Sequence, residues 1–453
     1  MARYELVEGT SSKFWDIALD GASFTTTYGK IGTAGKATTK SFASDAEAKK
    51  EHDKIVAEKV KKGYVPSGAP AAIVDGDGAR GEDGPDRRNP ELEAAIIADP
   101  GDEAAYQVYA DWLSGQGDPR GELIALQMKH ARGPAARALM DRYEAYFLGE
   151  LHAHQQTHDG NEEPAFTWKN GFIHAAHLSY NSYADEDYEG RFRDVLTALL
   201  THRSGRFLAE LTLTFNGEPN DGLGDLVDAL VAHPPATLRK LHIGDFEIRG
   251  EDTELSWYDV GDLSRVWALV PRLETLILQG GSFTLGTLDL PALRRADFIT
   301  GGLSKASVHA IATAKWPRIQ SLNIWFGDPN YGGDSTITDA QPLLGRADMR
   351  ALRHLGLMNC GYTDELAAAL PTSAILPQLS SLSFAKGVLS DDGARGIAAH
   401  KDAFAHLDTL DVSECLLTDA GVRVLKGCAQ TIVSTEQRDI EEAPQDRYPA
   451  IGE

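Results

Sequence analysis

The sequence predicts a multidomain protein in which a small α+β domain and a short helical domain precede a long α/β solenoid. Three observations lead to this prediction. Apolar residues recur with a mean spacing close to 28 residues, the charge changes sign after the first 67 residues, and a stretch rich in Pro and Gly separates the two regions. The length of 453 residues fits about three domains.

The repetitive region begins near residue 166. Eight segments share one pattern of apolar residues, and the first is Leu208-x-x-Leu211-x-Leu213-x-x-Asn216. The others begin at Leu238, Leu273, Leu293, Ile319, Leu352, Leu379 and Leu407. The pattern fits the leucine-rich-repeat template of about 20–29 residues. Helix-like stretches separate the segments, so one strand and one helix per repeat predict a parallel-sheet solenoid.

Charge distinguishes the first region from the rest. Residues 1–67 carry 11 basic and 9 acidic side chains, a net charge of +2, whereas the remainder carries 33 and 58, a net charge of −25. Such an acidic remainder repels phosphate backbones, so any nucleic-acid contact must come from the first region. The boundary between them contains four Pro and five Gly between Pro66 and Pro90, and this composition cannot bury enough apolar surface to offset its ordering entropy.

These observations set the predicted domain boundaries. In the helical part, Asp102 and Asp118 are expected N-caps because each precedes a segment of helical periodicity. The final residues are polar and acidic, so we expect them to be frayed. The predicted parts are residues 1–66 as the α+β domain, 67–89 as a flexible linker, 90–165 as the helical domain, 166–435 as the solenoid and 436–453 as an acidic tail.

The first domain resembles the WGR domain, named after a Trp-Gly-Arg signature, over about residues 3–66. The resemblance rests on the run Tyr28-Gly29-Lys30-Ile31-Gly32-Thr33-Ala34-Gly35-Lys36 and on Gly63-Tyr64. Related domains in DNA-dependent poly(ADP-ribose) polymerases contact DNA, so the resemblance implies a nucleic-acid contact. Tyr28 replaces the signature Trp and Lys30 the Arg, which keeps an aromatic face and a cation but loses the planar fork of Arg.

The other two parts carry weaker resemblances. Residues 89–127 look like a bacterial companion domain that precedes repeat arrays, with which no chemistry is associated. The repeats are similar to the ribonuclease-inhibitor type of leucine-rich repeat, because Thr418-Asp-Ala-Gly421-Val-Arg-Val-Leu425 matches the loop-to-helix segment of that type. The companion-domain resemblance implies a bacterial protein. We expect no polymerase catalytic segment, because the companion domain and the repeats use the whole remaining length.

Four residues of the first domain are candidates for nucleic-acid binding: Tyr28, Lys30, Lys36 and Lys40. Tyr28 can stack on a base or sugar, while the lysines can contact phosphates. The alternative is that Tyr28 belongs to the core and that the lysines of this region are merely solvated.

Four apolar residues of the middle repeats are candidates for protein binding: Ile277, Ile299, Trp325 and Met358. Strand alternation places them on the concave face of the predicted solenoid, and Trp is enriched among interface hot spots. The alternative is that the insertion at 327–341 covers Trp325, with Tyr331 packed on it.

Catalytic and metal sites are not predicted. The hydrolase motif G-x-S-x-G and the phosphate-binding loop G-x-x-x-x-G-K-S/T are missing from the sequence. Cys360, Cys415 and Cys428 are too few for a disulfide framework or a four-thiolate zinc site, and they fit a reducing cytoplasm. If their segment is helical, His152, His154 and His158 could hold a metal, because positions four apart share a helix face; the alternative is that they are neutral histidines at the surface.

We therefore expect a non-enzymatic cytoplasmic adaptor with no cofactor and no membrane contact. The first domain would contact nucleic acid or a nucleoprotein, and the solenoid would bind a protein. The alternative is a scaffold that binds only proteins.

Overall fold

The computed structural model describes most of the chain in two compact units, Met1–Ala79 and Arg80–Glu453. The described residues are 2–8, 11–30, 35–61, 65–66, 86–155, 164–181, 188–216, 224–248, 254–439 and 447–452. Most of the predicted linker therefore lies outside the described residues.

The first unit is an antiparallel sheet covered by one helix. Its described elements are β1 (Ala2–Glu8), β2 (Ser11–Asp20), β3 (Ser23–Lys30), β4 (Lys36–Ser41), α1 (Asp45–Lys61) and β5 (Val65–Pro66), with the sheet order β4-β3-β2-β1-β5. Helix α1 packs through Ile55 and Val56 on the sheet face that carries Trp15, Ile17 and Phe24. The predicted α+β class of this domain is confirmed.

Short capped helices begin the second unit. They are α2 (Pro90–Ala98), α3 (Glu103–Gly115), α4 (Pro119–Lys129), α5 (Pro134–Arg142), α6 (Glu144–Phe147) and a 3-10 helix at Gly149–His154. The predicted caps are confirmed, because Asp102 accepts a hydrogen bond from Ala104 N at 2.9 Å and Asp118 accepts one from Arg120 N at 2.8 Å. Each carboxylate satisfies one of the free N–H groups of a helix start.

The rest of the second unit is built on a large mixed sheet. Within the described part of the chain this sheet has eleven strands, in the order β18-β17-β16-β15-β14-β13-β11-β9-β8-β7-β6. The strands are β6 (Phe166–Lys169), β7 (Phe172–Asn181), β8 (Glu210–Asn216), β9 (Lys240–Ile243), β11 (Thr275–Gln279), β13 (Arg295–Ile299), β14 (Ser321–Gly327), β15 (His354–Cys360), β16 (Ser381–Ser383), β17 (Thr409–Asp411) and β18 (Thr431–Val433); β10 (Asp259–Asp262) and β12 (Ser282–Thr284) pair separately.

Strands β7 to β18 of the large sheet run parallel, and β6 pairs with β7 as an antiparallel hairpin. The hairpin turn is Asn170-Gly171, whose φ angles of +49° and +81° suit the Asn-Gly turns that join two-residue hairpins. Each of the eight predicted strand positions lies in a strand of the large sheet, which confirms an α/β architecture.

Helices alternate with these strands. They are α7 (Tyr188–Thr201), α8 (Gly224–Ala232), α9 (Lys305–Thr313), α10 (Ile337–Leu344), α11 (Thr363–Ala369), α12 (Asp391–Ala399), α13 (Lys401–Phe404) and α14 (Asp419–Val424). 3-10 helices lie at Arg203–Gly205, Leu255–Trp257, Trp267–Leu269, Pro329–Tyr331, Leu370–Thr372 and Leu376–Gln378. In the described residues no helix has the length and apolar character needed to cross a membrane.

One continuous apolar core holds strands and helices together. A ladder of directly paired side chains crosses the sheet, and each member is fully buried: Leu211, Leu241, Leu276, Ala296, Leu322, Leu355, Leu382 and Leu410. Burying one such leucine stabilises the fold by about 1.5–3 kcal/mol. Because side chains alternate along a strand, the residues between these leucines lie on the opposite face, which we call the open face.

Two buried charged groups connect the helices α2 to α6 to the first strands of the sheet. Arg120 donates to Gly171 O at 2.5 Å and to Ser204 Oγ at 3.0 Å, and its guanidinium lies 4.7 Å from the Phe172 ring centre. Burial lowers the pKa of this guanidinium. These bonds join α4 to the β6–β7 turn and to the Arg203–Gly205 turn.

The second group is Glu93 of α2, which is 3% exposed. Its carboxylate accepts hydrogen bonds from Arg88 Nη2 at 2.6 Å, from the Tyr109 hydroxyl at 2.8 Å and from Arg206 Nη1 at 3.1 Å. The two cations and the hydroxyl compensate for the loss of water around a buried carboxylate.

Successive strand–helix units are connected by carboxylates. Asp364 accepts hydrogen bonds from Ser390 N at 2.9 Å and Ser390 Oγ at 2.6 Å, while Ser390 caps helix α12. One unit later, Asp391 bonds Thr418 N at 2.9 Å and Thr418 Oγ1 at 2.7 Å, while Thr418 caps α14. We call this arrangement the capping relay, because at these two junctions an aspartate of one unit orients the N-cap of the next.

The capping relay explains a glycine at the third residue of α12. A Cβ at Gly393 would lie 2.2 Å from Asp364 Oδ1, so we expect Gly393→Ala to lower the free energy of unfolding by about 1–3 kcal/mol through overpacking. Gly396→Ala in the same helix is the control, since its Cβ meets no atom within 4 Å and alanine favours helix by up to about 1 kcal/mol. Urea denaturation measures both, and equal effects of the two variants would contradict the relay.

Candidate functional site

The β3–β4 hairpin brings an aromatic ring and lysines together on the first unit. Tyr28 pairs directly with Trp15 on one side and Lys36 on the other, and Lys30 pairs with Lys13. Directly paired residues share a sheet face, so these side chains lie on the face that also carries α1. Tyr28 is 46% exposed and the three lysines are exposed. We call Lys13, Tyr28, Lys30 and Lys36 the lysine patch.

Lys40 lies apart from the lysine patch. It is four residues from Lys36 along β4, which corresponds to about 13 Å in a strand. Its ammonium lies 3.7 Å from Glu51 and 5.2 Å from the Phe42 ring centre. The structure therefore brings together three of the four predicted nucleic-acid residues and places the fourth beside a carboxylate.

Sequence reasoning missed Lys13, although a signal for it existed. The alternation of β2 buries Trp15 and Ile17, so Lys13 has the same parity as these core residues. Its pairing with Lys30 then follows from the two-residue turn at Gly21-Ala22. Gly35 directly precedes β4: its φ is +69°, and a Cβ there would lie 2.5 Å from the Phe14 ring.

The open face of the large sheet carries a polar network in its middle strands. Asp297 accepts from Arg295 Nε at 2.7 Å and from Asn323 Nδ2 at 2.8 Å. His354 contacts Asn323 Oδ1 through Nε2 at 2.7 Å and Ser381 Oγ through Nδ1 at 3.0 Å. Burial lowers the pKa of His354, which favours the neutral imidazole. The Ser381 hydroxyl contacts Nδ1 of His354, whereas in a Ser-His-Asp catalytic triad the serine hydroxyl contacts Nε2. We therefore interpret the network as structural.

The predicted exposure of Trp325 is wrong. Trp325 is only 6% exposed, because Leu255 and Ile451 pack against it. Ile299 and Met358 lie in the same cluster, so three of the four predicted protein-binding residues meet. Ile277 lies apart, since its register partner is Asp297 while Ile299 pairs with Gln279. The side chain of Trp325 is covered by Leu255 and Ile451, which are far away in the sequence, rather than by the predicted insertion at 327–341.

Residues 447–452 cover Trp325 from the far end of the sequence, and we call them segment 447–452. The Asn359 carboxamide donates to Ile451 O at 2.6 Å and accepts from Ile451 N at 2.9 Å. Ala450 N donates to Lys386 O at 2.8 Å, and Ile451 is 4% exposed. The expectation of a frayed tail is thus wrong for these residues. The apolar residues within Tyr448-Pro-Ala-Ile451 were the overlooked signal.

Thiols and histidines add no metal centre to the described residues. Cys360, Cys415 and Cys428 are unpaired and buried, and burial raises the pKa of Cys415 to about 12. His152 lies 2.9 Å from Glu144, while His158 lies outside the described residues. In the part of the chain that is described, no group of three or more His, Cys, Asp or Glu could hold a metal ion.

Comparison with known proteins concerns mainly the first unit. Residues 2–70 match the family model of the WGR domain, which confirms that resemblance. Uncharacterized protein YfeS of Escherichia coli (strain K12) is 46% identical over 54 residues, and Protein YehF of the same organism is 46% identical over 55 residues. The matches cover 12% of this chain and 22% and 20% of the relatives, so the chain spans about a fifth of their length.

A solved structure resembles the whole chain. The crystal structure of a Bacteroides fragilis protein superposes with a TM-score of 0.52 and 21% sequence identity, and covers 99% of each chain. At this identity the likeness shows the fold alone. The resemblances to a companion domain and to ribonuclease-inhibitor-type repeats stay predictions.

Proposed function

We propose that this protein is an adaptor whose WGR domain contacts nucleic acid or a nucleoprotein and whose second unit, a leucine-rich-repeat solenoid, binds a protein. The observation that carries the nucleic-acid half is the lysine patch. Lys13, Lys30 and Lys36 surround the exposed Tyr28 on one face of the sheet.

The pairing of Lys13 with Lys30 supports an anionic ligand. Directly paired residues have Cβ atoms about 4.5–5.5 Å apart, so both ammonium groups can reach one anionic strand beside Tyr28. Tyr28 adds a ring on which a base can stack, worth about 1–3 kcal/mol per base. The patch therefore combines phosphate contacts with stacking, which suits single-stranded or frayed ends.

The scaffold alternative has its own support in the position of β4. This strand is an edge of the sheet, and lysines on an edge strand discourage pairing with other chains. Lys36 and Lys40 would serve that purpose without any nucleic acid. The protein-binding half is supported by the apolar cluster of Ile299, Trp325 and Met358 on the open face.

Removing the lysine patch tests the nucleic-acid half. We expect the full chain to bind a fluorescein-labelled duplex with a frayed end, with an affinity that falls between about 50 and 200 mM salt. In the triple variant Lys13→Ala, Lys30→Ala, Lys36→Ala, the slope of log K against log salt should become shallower by about 0.9 for each phosphate that is no longer neutralised by a lysine. Fluorescence anisotropy measures both quantities.

Lys50→Ala is the matched control, because Lys50 is an exposed lysine on α1. It should leave both affinity and slope close to those of the unchanged protein. Absence of binding at low salt, or equal weakening in the patch variant and the control, would remove the nucleic-acid half and favour the scaffold.

A further inference from the structure

We propose that the cleft filled by segment 447–452 binds an extended peptide of a partner protein, and that segment 447–452 is its intramolecular competitor. The partner peptide carries an aliphatic residue followed by glycine. This inference rests on the proposed protein-binding role of the second unit and identifies its site and the chemistry of its ligand.

The cleft recognises the main chain of whatever occupies it. Asn359 forms two hydrogen bonds with the N–H and C=O of one residue, Ile451. Lys386 O accepts from Ala450 N at 2.8 Å, and Arg438 Nη1 donates to Tyr448 O at 2.8 Å. All four bonds use backbone atoms of the segment, which is how sites for extended peptides gain affinity without depending on sequence.

Asn359 is held in position for this role. The residue is fully buried, its φ is +46°, and its own N–H donates to Ala385 O at 3.0 Å. Lys386 and Glu414 have the same left-handed backbone, each four residues after the buried leucine of its strand as Asn359 is, so this conformation recurs in successive strand–helix units. The carboxamide is therefore fixed by the fold and presents one donor and one acceptor to the peptide.

Two neighbouring positions give the cleft its side-chain specificity. Ile451 packs in one buried cluster with Leu255 and Trp325, against which Ile299 and Met358 also pack, so this position requires an aliphatic side chain. At the next position a Cβ on Gly452 would lie 2.4 Å from the Tyr331 ring, which excludes larger residues. The cleft thus selects an aliphatic residue followed by glycine.

Charge at the edge of the cleft favours a basic residue earlier in the peptide. Arg447 Nη1 lies 3.6 Å from Asp364 Oδ2, four positions before Ile451. Tyr448 contributes little to recognition, because it is 61% exposed. A basic partner segment also suits an acidic chain of net charge −23.

Segment 447–452 competes because it is tethered. Residues 440–446 connect it to Arg438 and Asp439, and a short tether gives an effective concentration in the millimolar range. If the segment and a partner peptide each bind with a micromolar dissociation constant, the effective concentration of the segment exceeds that constant by about 100-fold or more. The apparent affinity of the partner peptide is weakened by the same factor. Cutting the tether should remove this disadvantage.

The test inserts a protease recognition sequence within residues 440–446 of the full chain. The probe is a fluorescein-labelled, amidated peptide, Arg-Tyr-Pro-Ala-Ile-Gly, which copies segment 447–452. We expect the cut protein, after gel filtration, to bind the probe at least about tenfold more tightly than the uncut protein. A probe with Asp in place of Ile should not bind.

Uncut Ile451→Asp is the second variant, and it should bind the probe as the cut protein does. Uncut Tyr448→Ala is its matched control, and it should stay as weak as the unchanged protein. Asn359→Gly in the cut protein keeps the backbone conformation, removes the carboxamide and should abolish binding.

Three results would overturn the proposal. The cut protein could lose cooperative unfolding, it could fold and still not bind the probe, or the uncut protein could form dimers that exchange the segment between copies. Nucleic-acid binding is measured on the same samples, so a failed cleft with an intact lysine patch is distinguished from a failed adaptor.

Discussion

Replacing Arg120 with alanine is expected to lower the free energy of unfolding by about 3–5 kcal/mol, because two buried oxygens lose a donor at about 1–3 kcal/mol each and a cavity is left. Arg120 fixes α4 to the β6–β7 turn through Gly171 O and to the neighbouring turn through Ser204 Oγ. Without the guanidinium, both oxygens are deprived of a donor and the space beneath Phe172 becomes a cavity.

Arg137→Ala is the control for this prediction, since Arg137 is an exposed arginine on α5 and should change stability by less than about 0.5 kcal/mol. Arg120→Met fills most of the volume without a charge, so we expect it to destabilise less than alanine. Denaturant midpoints report the ranking. A destabilisation below about 1 kcal/mol in Arg120→Ala would show that this arginine is not a structural joint.

The second large effect concerns Glu93 and depends on pH. Burial alone would raise the pKa of Glu93, but the hydrogen bonds from Arg88 and Tyr109 and the charge of Arg206 hold it below its usual range. The stabilisation from its ionised form is therefore fully present above the unfolded-state pKa, about 4.3, and is lost as the pH falls through the lower folded-state value.

At neutral pH we expect Glu93→Gln to lower the free energy of unfolding by about 3 kcal/mol, because Arg88 and Arg206 lose their shared carboxylate. The difference from the unchanged protein should be constant between about pH 5 and 8 and shrink below about pH 4. Glu91→Gln, an exposed change on the same helix, is the control. Urea denaturation across this pH range decides the matter, and a difference that persists at about pH 2 would contradict the mechanism.

The sequence predicted features that depend on local chemistry or on a fixed period. The helix caps at Asp102 and Asp118 need only a short side chain before a helix, and the strand positions follow from leucines that recur in one phase. One glycine of the WGR run is required by geometry, because Gly35 has a φ of +69° and a Cβ there would lie 2.5 Å from the Phe14 ring.

Features that depend on distant parts of the chain escaped prediction. Periodicity placed Trp325 on the open face correctly, but period alone carries no information about what covers that face. Ile451 lies 126 positions further along the sequence, in a stretch whose composition predicts fraying. Lys13 was missed for a similar reason, because its place in the lysine patch depends on strand pairing.

The capping relay has a consequence for how such a protein can change its length. The unit of α12 receives an aspartate from its predecessor, Asp364 on Ser390, and supplies one to its successor, Asp391 on Thr418. Such a unit has the aspartate acceptor, the hydroxyl N-cap and the glycine at the third helix position. If it is duplicated or excised, the new neighbours still offer an aspartate to a hydroxyl N-cap at each junction. Gene-level gain or deletion of whole units would then preserve the fold, whereas indels that split a unit would leave a helix start uncapped.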